Sequence, residues 1–457
     1  MPYEINKMNA PLTNSALLEK EQQHMIHPLH HAAGHASGRV WVRGEGSYLF
    51  DADGNRLIDG LSGLWNVTAG HGRQELADAA ARQMRELAYG SCYAGASNRP
   101  AIELAGRLAD LCYPGINNFY FTSGGGEATD SSIKLARWYW KARGRPEKTK
   151  VISRIWAYHG VTLAAMCATG ISSYWTMFEP RIPGFSHIPS PDPYRYPMPA
   201  DGSSQGIAAA NELEKEILAQ GPETVAMFIA EPVQGAGGVI VPQDDYFPRI
   251  REICDQYDVL FVADEVITAF GRTGKMFALD HYGVQPDLVQ FAKAITSGYV
   301  PLGGIGMNDD IAELVKASDK PWMHAYTYSG HPTTCAVGLA MLDIVEKEDF
   351  PGQAASKGEY LLEKLHAELD GHPHVGEVRG KGMMCGVELV ESKDSKELYP
   401  AEWGVGPKMT KAMISHGLFT RMRSEVVCIA PPLTTEESTL DDIVSAVRDS
   451  VVDVFGE

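Results

Sequence analysis

The sequence predicts an α/β fold, a large domain on a mostly parallel sheet plus a smaller α+β domain, and three observations predict it. Two short apolar runs, VLFVADEV (259–266) and DLVQFAK (287–293), have the length and β-branched content of strands buried on both faces. Each reaches a charged residue at its end, Asp264 and Lys293, where an open α/β sheet binds ligands. Between 117 and 144 the order is strand, glycine turn and helix, and beyond about Glu346 the texture shifts to amphipathic helices with short strands.

At 457 residues the chain is too long for one ordinary core and implies two or three domains, or one large α/β domain with additions. Hydrophobic content of 44% and charged content of 21% are those of a soluble globular protein, and 46 glycines imply many tight loops. The formal net charge of −18, with no run of Lys and Arg, argues against nucleic acid or an anionic membrane as partner. Seven scattered cysteines without a CxxC pair indicate neither a disulfide framework nor a thiolate zinc site, which fits a reducing cytoplasm. No targeting signal or membrane-spanning run is read.

The first 40 residues are polar, with a histidine cluster at His24, His27, His30, His31 and His35. Pro28 and Gly34 interrupt the helix and no carboxylate or cysteine completes a shell, so a surface arm is expected and no metal. RVWVRGEGSYLFDADGNRLIDG (39–60) alternates strands with turn residues and reads as a small antiparallel element. Trp65 follows in a stretch that reads as loop, where a large aromatic needs either a core pocket or a ligand to cover it. Residues 74–87 have helical spacing.

The glycine turn Gly124 to Gly126 lies between a strand ending at Thr122 and a helix with Ile133, Ala136 and Trp140 on one side. It is either an ordinary turn or a phosphate site made of N–H groups at a helix start, and its spacing suits a single phosphate better than a dinucleotide. Tyr158 and His159 stand at another strand end, the tyrosine being either core or a stacking platform for a flat ring. Residues 186–204 are proline-rich and read as a long ordered excursion. The strand within TVAMFIAE ends on Glu231, and Thr327 lies in a loop feeding a helix, able to donate a hydroxyl to a phosphate oxygen.

A lysine in an apolar surrounding has a lowered pKa and frees amine for attack on carbonyl carbon, while a neighbouring carboxylate can pair with a cationic ring nitrogen. Lys293 and Asp264 together are the arrangement that pyridoxal phosphate needs. A solvent-facing strand end and a snorkelling lysine account for the same two residues.

The motifs LSGLWN, SGGGEATD, YHG, AEPVQGAGGVIVP, VADEVITAFGRTG, AKAITSGYVPLGG, TYSGHP and APPL occur in that order over essentially the whole chain. In this it resembles the class III aminotransferases of the fold type I pyridoxal phosphate group, in particular their omega-amino acid or amine:pyruvate branch. The resemblance implies a fold type I transferase with pyridoxal 5'-phosphate as cofactor, an amine donor and a keto acid acceptor such as pyruvate. Lys293 would carry the cofactor as a Schiff base and shuttle the proton, and Asp264 would keep the pyridine nitrogen protonated. Tyr158 would stack on the ring, and Ser123, Gly125, Gly126, His159, Glu231 and Val266 would complete the cofactor site. Thr327 would arrive from the second subunit of a homodimer or dimer of dimers. Trp65, Tyr158 and Arg421 would line the substrate pocket. The chain would divide into an N-terminal arm with small-domain strands (1–64), a large cofactor-binding domain (65–334) and a C-terminal small domain (335–457).

Two departures from the family pattern bear on function. Relatives carry serine hydroxyls in the phosphate turn, in a pattern like SGSE, where Gly124-Gly-Gly126-Glu127 offers backbone donors with Ser123 nearby. The ornithine and 4-aminobutyrate relatives carry an arginine shortly before APPL, where this chain has Cys428. The alternative activity is a racemase or aminomutase on the same scaffold, which retains the lysine and releases no keto product. A cofactor-binding regulator should add a DNA-binding domain, and the short N-terminal arm and acidic charge argue against that class.

Overall fold

A computed structural model describes residues 14–30, 38–93, 95–200 and 202–457. The chain enters through β1 (Trp41–Glu45), β2 (Tyr48–Asp51) and β3 (Arg56–Asp59), an antiparallel meander turned at Gly46 and at residues 52–55, as the alternating pattern requires. The large sheet follows with β4 (Ile116–Thr122), β5 (Lys150–Arg154), β6 (Phe185–Ile188), β7 (Val225–Ala230), β8 (Leu260–Asp264), β9 (Leu288–Phe291) and β10 (Gly303–Asn308). Its spatial order is β4-β10-β9-β8-β7-β5-β6. From β9 to β6 all pairings are parallel, and β10 runs antiparallel to both of its neighbours. Since β4 and β9 both oppose β10, β4 points the same way as the parallel strands. The ends of β4, β5, β7, β8 and β9 therefore open on one edge.

Residues of β7, β8 and β9 are buried throughout, which explains their unbroken apolar runs. Helix Gly125–Ala142 covers one face with Ile133, Leu135, Ala136, Tyr139 and Trp140 packed on Val151, Met227 and Val262. Helix Tyr246–Gln256 covers the other with Phe247 and Ile250 against Phe228 and Phe261.

The strand β10 and the edge strand β6 went unread in the sequence, β6 lying at the start of the proline-rich stretch. Gly303, Gly304 and Gly306 have no strand propensity, yet the site demands them: a Cβ on Gly304 would stand 2.5 Å from Phe291 Cζ, and one on Gly306 2.7 Å from Ile116 Cγ2.

The C-terminal third forms a second sheet in the order β11-β12-β15-β14, from β11 (Val375–Gly380), β12 (Cys385–Leu389), β14 (Arg421–Arg423) and β15 (Val426–Ile429). The short β13 (Leu418–Phe419) leaves it to pair in parallel with β3, Leu418 opposite Ile58, and so ties the chain's beginning to its end. No helix among the described residues is long and apolar enough to cross a membrane.

Candidate active site

Asp264 closes β8 and is 4% exposed. Its Oδ2 lies 2.7 Å from His159 Nδ1, and its Oδ1 accepts the Val266 N–H at 3.1 Å. The imidazole is oriented from its own backbone: the His159 N–H donates to Thr169 Oγ1 at 2.9 Å, and its carbonyl accepts from Thr129 Oγ1 at 2.7 Å. Thr129 Oγ1 also lies 3.0 Å from Oε1 of Gln290, the residue opposite Asp264 in the β8–β9 register, while Gln290 Nε2 donates to Ser132 Oγ at 3.0 Å. Buried polar side chains thus fix the carboxylate to the helix that begins at Gly125. Sequence reasoning missed Thr129, Ser132 and Gln290, for a lone polar residue inside an apolar run gives no sign of its partner.

Lys293 follows β9 at the start of a 3-10 turn (Lys293–Thr296), with φ at 47°, a left-handed conformation uncommon outside glycine. Burial pushes its ammonium down to about 8, opposed by the Asp264 and Glu231 carboxylates and assisted by the Arg421 charge. Glu231, directly after β7, accepts N–H groups from Tyr158 at 3.1 Å and Gly235 at 3.2 Å. Burial pushes its carboxyl up to about 7, with Asp264 adding to the rise and the His159 and Arg154 charges opposing it. Arg154, fully buried, donates to the Glu231 carbonyl. Tyr158 is half-buried, its ring centroid 5.5 Å from that of Tyr174.

The helix Gly125–Ala142 makes its first intrahelical bond at the Ala128 N–H, which leaves the N–H groups of Gly125 and Gly126 without a backbone acceptor. Ser123 donates its N–H to Glu127 Oε2 at 2.8 Å, closing the turn from outside. A Cβ on Gly124 would meet nothing within 4 Å, and one on Gly125 would stand 3.0 Å from Val266 Cγ1. Val266 therefore backs the glycine turn while its N–H holds Asp264. The start of a long helix, with free N–H donors and open space before it, suits a phosphate.

Trp65, 2% exposed and at φ 62°, packs with Leu61, Val233, Ile267, Met384, Val426 and Cys428. Its turn is held by Arg272, a fully buried residue of the GRTG motif that sequence reasoning also passed over. Arg272 donates to the carbonyls of Pro431 at 2.6 Å and Met383 at 3.1 Å and to Ser62 Oγ at 2.9 Å. Burial pushes its guanidinium down to about 9, with Asp59 opposing. Arg421 opens β14 opposite Cys428 of β15, and its guanidinium makes no hydrogen bond or ion pair among the described residues. Thr327 is exposed; its carbonyl accepts from Tyr89 Oη at 2.8 Å, and it makes no hydrogen bond to the glycine turn.

Of the N-terminal histidines, His27 lies 3.2 Å from Glu21 Oε1 and stacks on His30, while His31 and His35 lie outside the described residues. No group of three or more metal-ligating side chains occurs among the described residues.

A depressed, enclosed amine beside a buried carboxylate, on the sheet edge that also presents free helix N–H groups, can hold a phosphorylated carbonyl compound with a cationic ring nitrogen. This fold and site define a pyridoxal phosphate-dependent enzyme of fold type I, and the donors present fit that cofactor.

Comparison with known proteins agrees. The family model described as aminotransferase class-III matches residues 31–451. A putrescine–pyruvate aminotransferase from Pseudomonas aeruginosa is 40% identical over 448 residues, which cover 96% of this chain and 97% of that one. Among solved structures, a thermostable (S)-enantioselective omega-transaminase from Thermomicrobium roseum superposes with a TM-score of 0.94 at 46% identity, covering 98% of this chain and all of that one. The omega-transaminase of Pseudomonas jessenii in complex with PMP has a TM-score of 0.92 at 37% identity, over 96% of this chain and 98% of that one. The chain belongs to the class III aminotransferase family, and it is an aminotransferase whose cofactor is pyridoxal 5'-phosphate.

Proposed function

We propose that this aminotransferase moves an amino group from a simple amine or an omega-amino acid to pyruvate in two half-reactions, with Lys293 and Asp264 as its catalytic residues. The observation that carries the reading is the Lys293 amine, pushed down to about 8 beside the buried pair of Asp264 and His159. The names of the putrescine–pyruvate and omega-transaminase relatives support the substrate classes. Bound at this site, the cofactor supplies an electron sink for the pair left on the substrate Cα when its proton departs. Lys293 would hold the cofactor through its amine, and the same amine would carry the proton that leaves the substrate Cα. Asp264, oriented by His159 and Val266, would set its charge against the ring nitrogen. Tyr158 would cover one face of the ring.

The phosphate is assigned to the N–H groups of Gly125 and Gly126, with Ser123 and Val266 shaping the turn and Glu231 and His159 closing the ring side. Residues 65–334 form the cofactor-binding domain in this reading, 1–64 the arm with its strands, and 335–457 the small domain. Thr327 completes the cup from a second copy. Its exposure supports that assignment, as does an exposed aromatic surface that includes Tyr89, Tyr93 and Tyr328. Seven free cysteines support a reducing cytoplasm as the working compartment. Thr327→Ala is expected to weaken cofactor retention by about 1.5 to 3 kcal/mol, one hydrogen bond to a charged group. Gly126→Val should weaken it further by filling the approach to the helix start. Gel filtration of the loaded variants checks this, and unaltered retention in both would move the phosphate elsewhere.

Substrate choice rests on Arg421. One pocket must grip the carboxylate of pyruvate and then admit an amine that has none there, and a long arginine without a fixed partner can swing in for one and out for the other. A second guanidinium in place of Cys428 would be left unpaired by an apolar amine, at an energetic cost. Arg421→Ala is expected to slow the pyruvate half-reaction by roughly ten- to a hundredfold, the worth of a charged hydrogen bond, while the amine half-reaction changes little. Single-turnover spectra read the two separately, and equal losses would refute the account. Formation of alanine together with an equal amount of carbonyl product separates the transferase from an isomerase.

A further inference from the structure

Arg423 is a second cation on the strand that carries Arg421, and the roles assigned above leave it unused. One residue separates the two arginines on β14, so both side chains leave the same face of the strand, roughly 7 Å apart along it. Their cross-strand partners are Cys428 and Val426, and both of these belong to the apolar cluster around Trp65. The face shared by the two arginines is therefore the face turned to Trp65.

The Arg423 guanidinium carbon stands 4.0 Å from the centroid of the Trp156 ring and makes no hydrogen bond or ion pair among the described residues. The carboxylates nearest in charge are already engaged: Glu388 binds Arg195 and Arg379, and Glu425 accepts from Ser424. Burial holds the guanidinium below its usual range, with Glu425 and Glu388 opposing and Arg421 adding to the fall.

Trp156 is a fixed platform. Its φ is 66°, its N–H donates to the Gly170 carbonyl at 3.0 Å, and its own carbonyl lies 2.6 Å from where a Cβ on Gly237 would stand. Two residues on, Tyr158 donates to Glu231. Trp156 is 40% exposed and Arg423 is half-buried, so the stacked pair stands at the border between the site and solvent.

We propose that Arg423, stacked on Trp156, is an outer anion subsite that takes the distal carboxylate of a four- or five-carbon 2-oxo dicarboxylic acid whose other carboxylate is held by Arg421. The proposal rests on the transaminase reading and extends its acceptors beyond pyruvate. A planar guanidinium can lie flat on an indole and still offer its edge to a carboxylate bidentately, which a lysine cannot. The ring also keeps the cation partly satisfied when an amine or pyruvate leaves the subsite empty, so those substrates are not penalised.

The test compares, within each preparation, single-turnover rates of the amino form of the holoenzyme with 2-oxoglutarate, oxaloacetate and pyruvate. Calorimetric titration of the holoenzyme with glutarate, an unreactive dicarboxylate, gives binding alone. Arg423→Met is expected to lower the rate with both dicarboxylic acids relative to pyruvate, and the affinity for glutarate, by about tenfold or more. Arg423→Lys should recover only part of either. Because each ratio is taken within one preparation, partial misfolding of a variant cancels. An unchanged ratio in Arg423→Met, full recovery by lysine, or a wild type indifferent to glutarate overturns the subsite. A wild type that aminates no keto acid at all would instead remove the transaminase reading beneath it.

Discussion

Lys293→Ala is expected to abolish transamination, with a loss of at least about a thousandfold, because one side chain supplies both the attachment point and the proton carrier. The substitution is mild for the fold: alanine at φ 47° is no more strained than lysine there, and the charge removed is one that burial disfavours. Activity should therefore disappear without a matching fall in melting temperature. The depressed amine has its own signature. Below about 8 the amine is protonated and cannot attack, so capture of pyridoxal phosphate by the apoenzyme should accelerate as pH rises and level off above about 8. An ordinary lysine would go on gaining rate to about 10.4. Stopped-flow absorbance across pH 6 to 10 reads the midpoint.

Asp264→Asn is expected to lower the amine half-reaction on the order of a hundredfold or more, the scale seen when one preorganised electrostatic contact to developing charge is lost. Asparagine has one side-chain oxygen where the carboxylate uses two; turned to the His159 Nδ1 it keeps the imidazole in place and gives up the Val266 N–H bond, so the charge is removed with the site's shape largely kept. Asp264→Ala removes both, leaving a buried imidazole N–H without an acceptor, and should add about 1 to 3 kcal/mol of destabilisation that the asparagine variant escapes. Because the Asp264 carboxylate opposes the fall in the Lys293 ammonium, its neutralisation should also shift the pH midpoint of cofactor capture downward. A midpoint that stays in place in Asp264→Asn would separate the two residues.

Local chemistry made the strand ends legible. The runs ending at Asp264 and Lys293, and the strand–glycine–helix order at Gly124 to Gly126, are written in contiguous residues whose periodicity changes where the element changes. What went unread is carried by pairing distant in sequence. The strand β10 is made of glycines because Phe291 and Ile116 leave no room for a Cβ, a constraint invisible until β4 and β9 are brought beside it. The pairing of β13 with β3 joins Leu418 to Ile58 and cannot be inferred from two residues of strand. Arg272 and Arg154 carry no local sign of burial, yet each is fully buried, Arg272 where the carbonyls of Met383 and Pro431 converge on it and Arg154 against the Glu231 carbonyl. Arg423 differs again: the sequence places it two residues from Arg421, and only the β14–β15 register shows that both look toward Trp65.

Borohydride reduction of the loaded enzyme, followed by peptide mapping, tests most directly the claim that Lys293 is the residue on which the chemistry turns. Reduction fixes the cofactor to whichever amine carries it, and the account predicts a single labelled peptide containing Lys293, absent when the amino form of the enzyme is reduced instead. A label on any other lysine, or a Lys293→Ala protein that still takes the label and turns over, would contradict it.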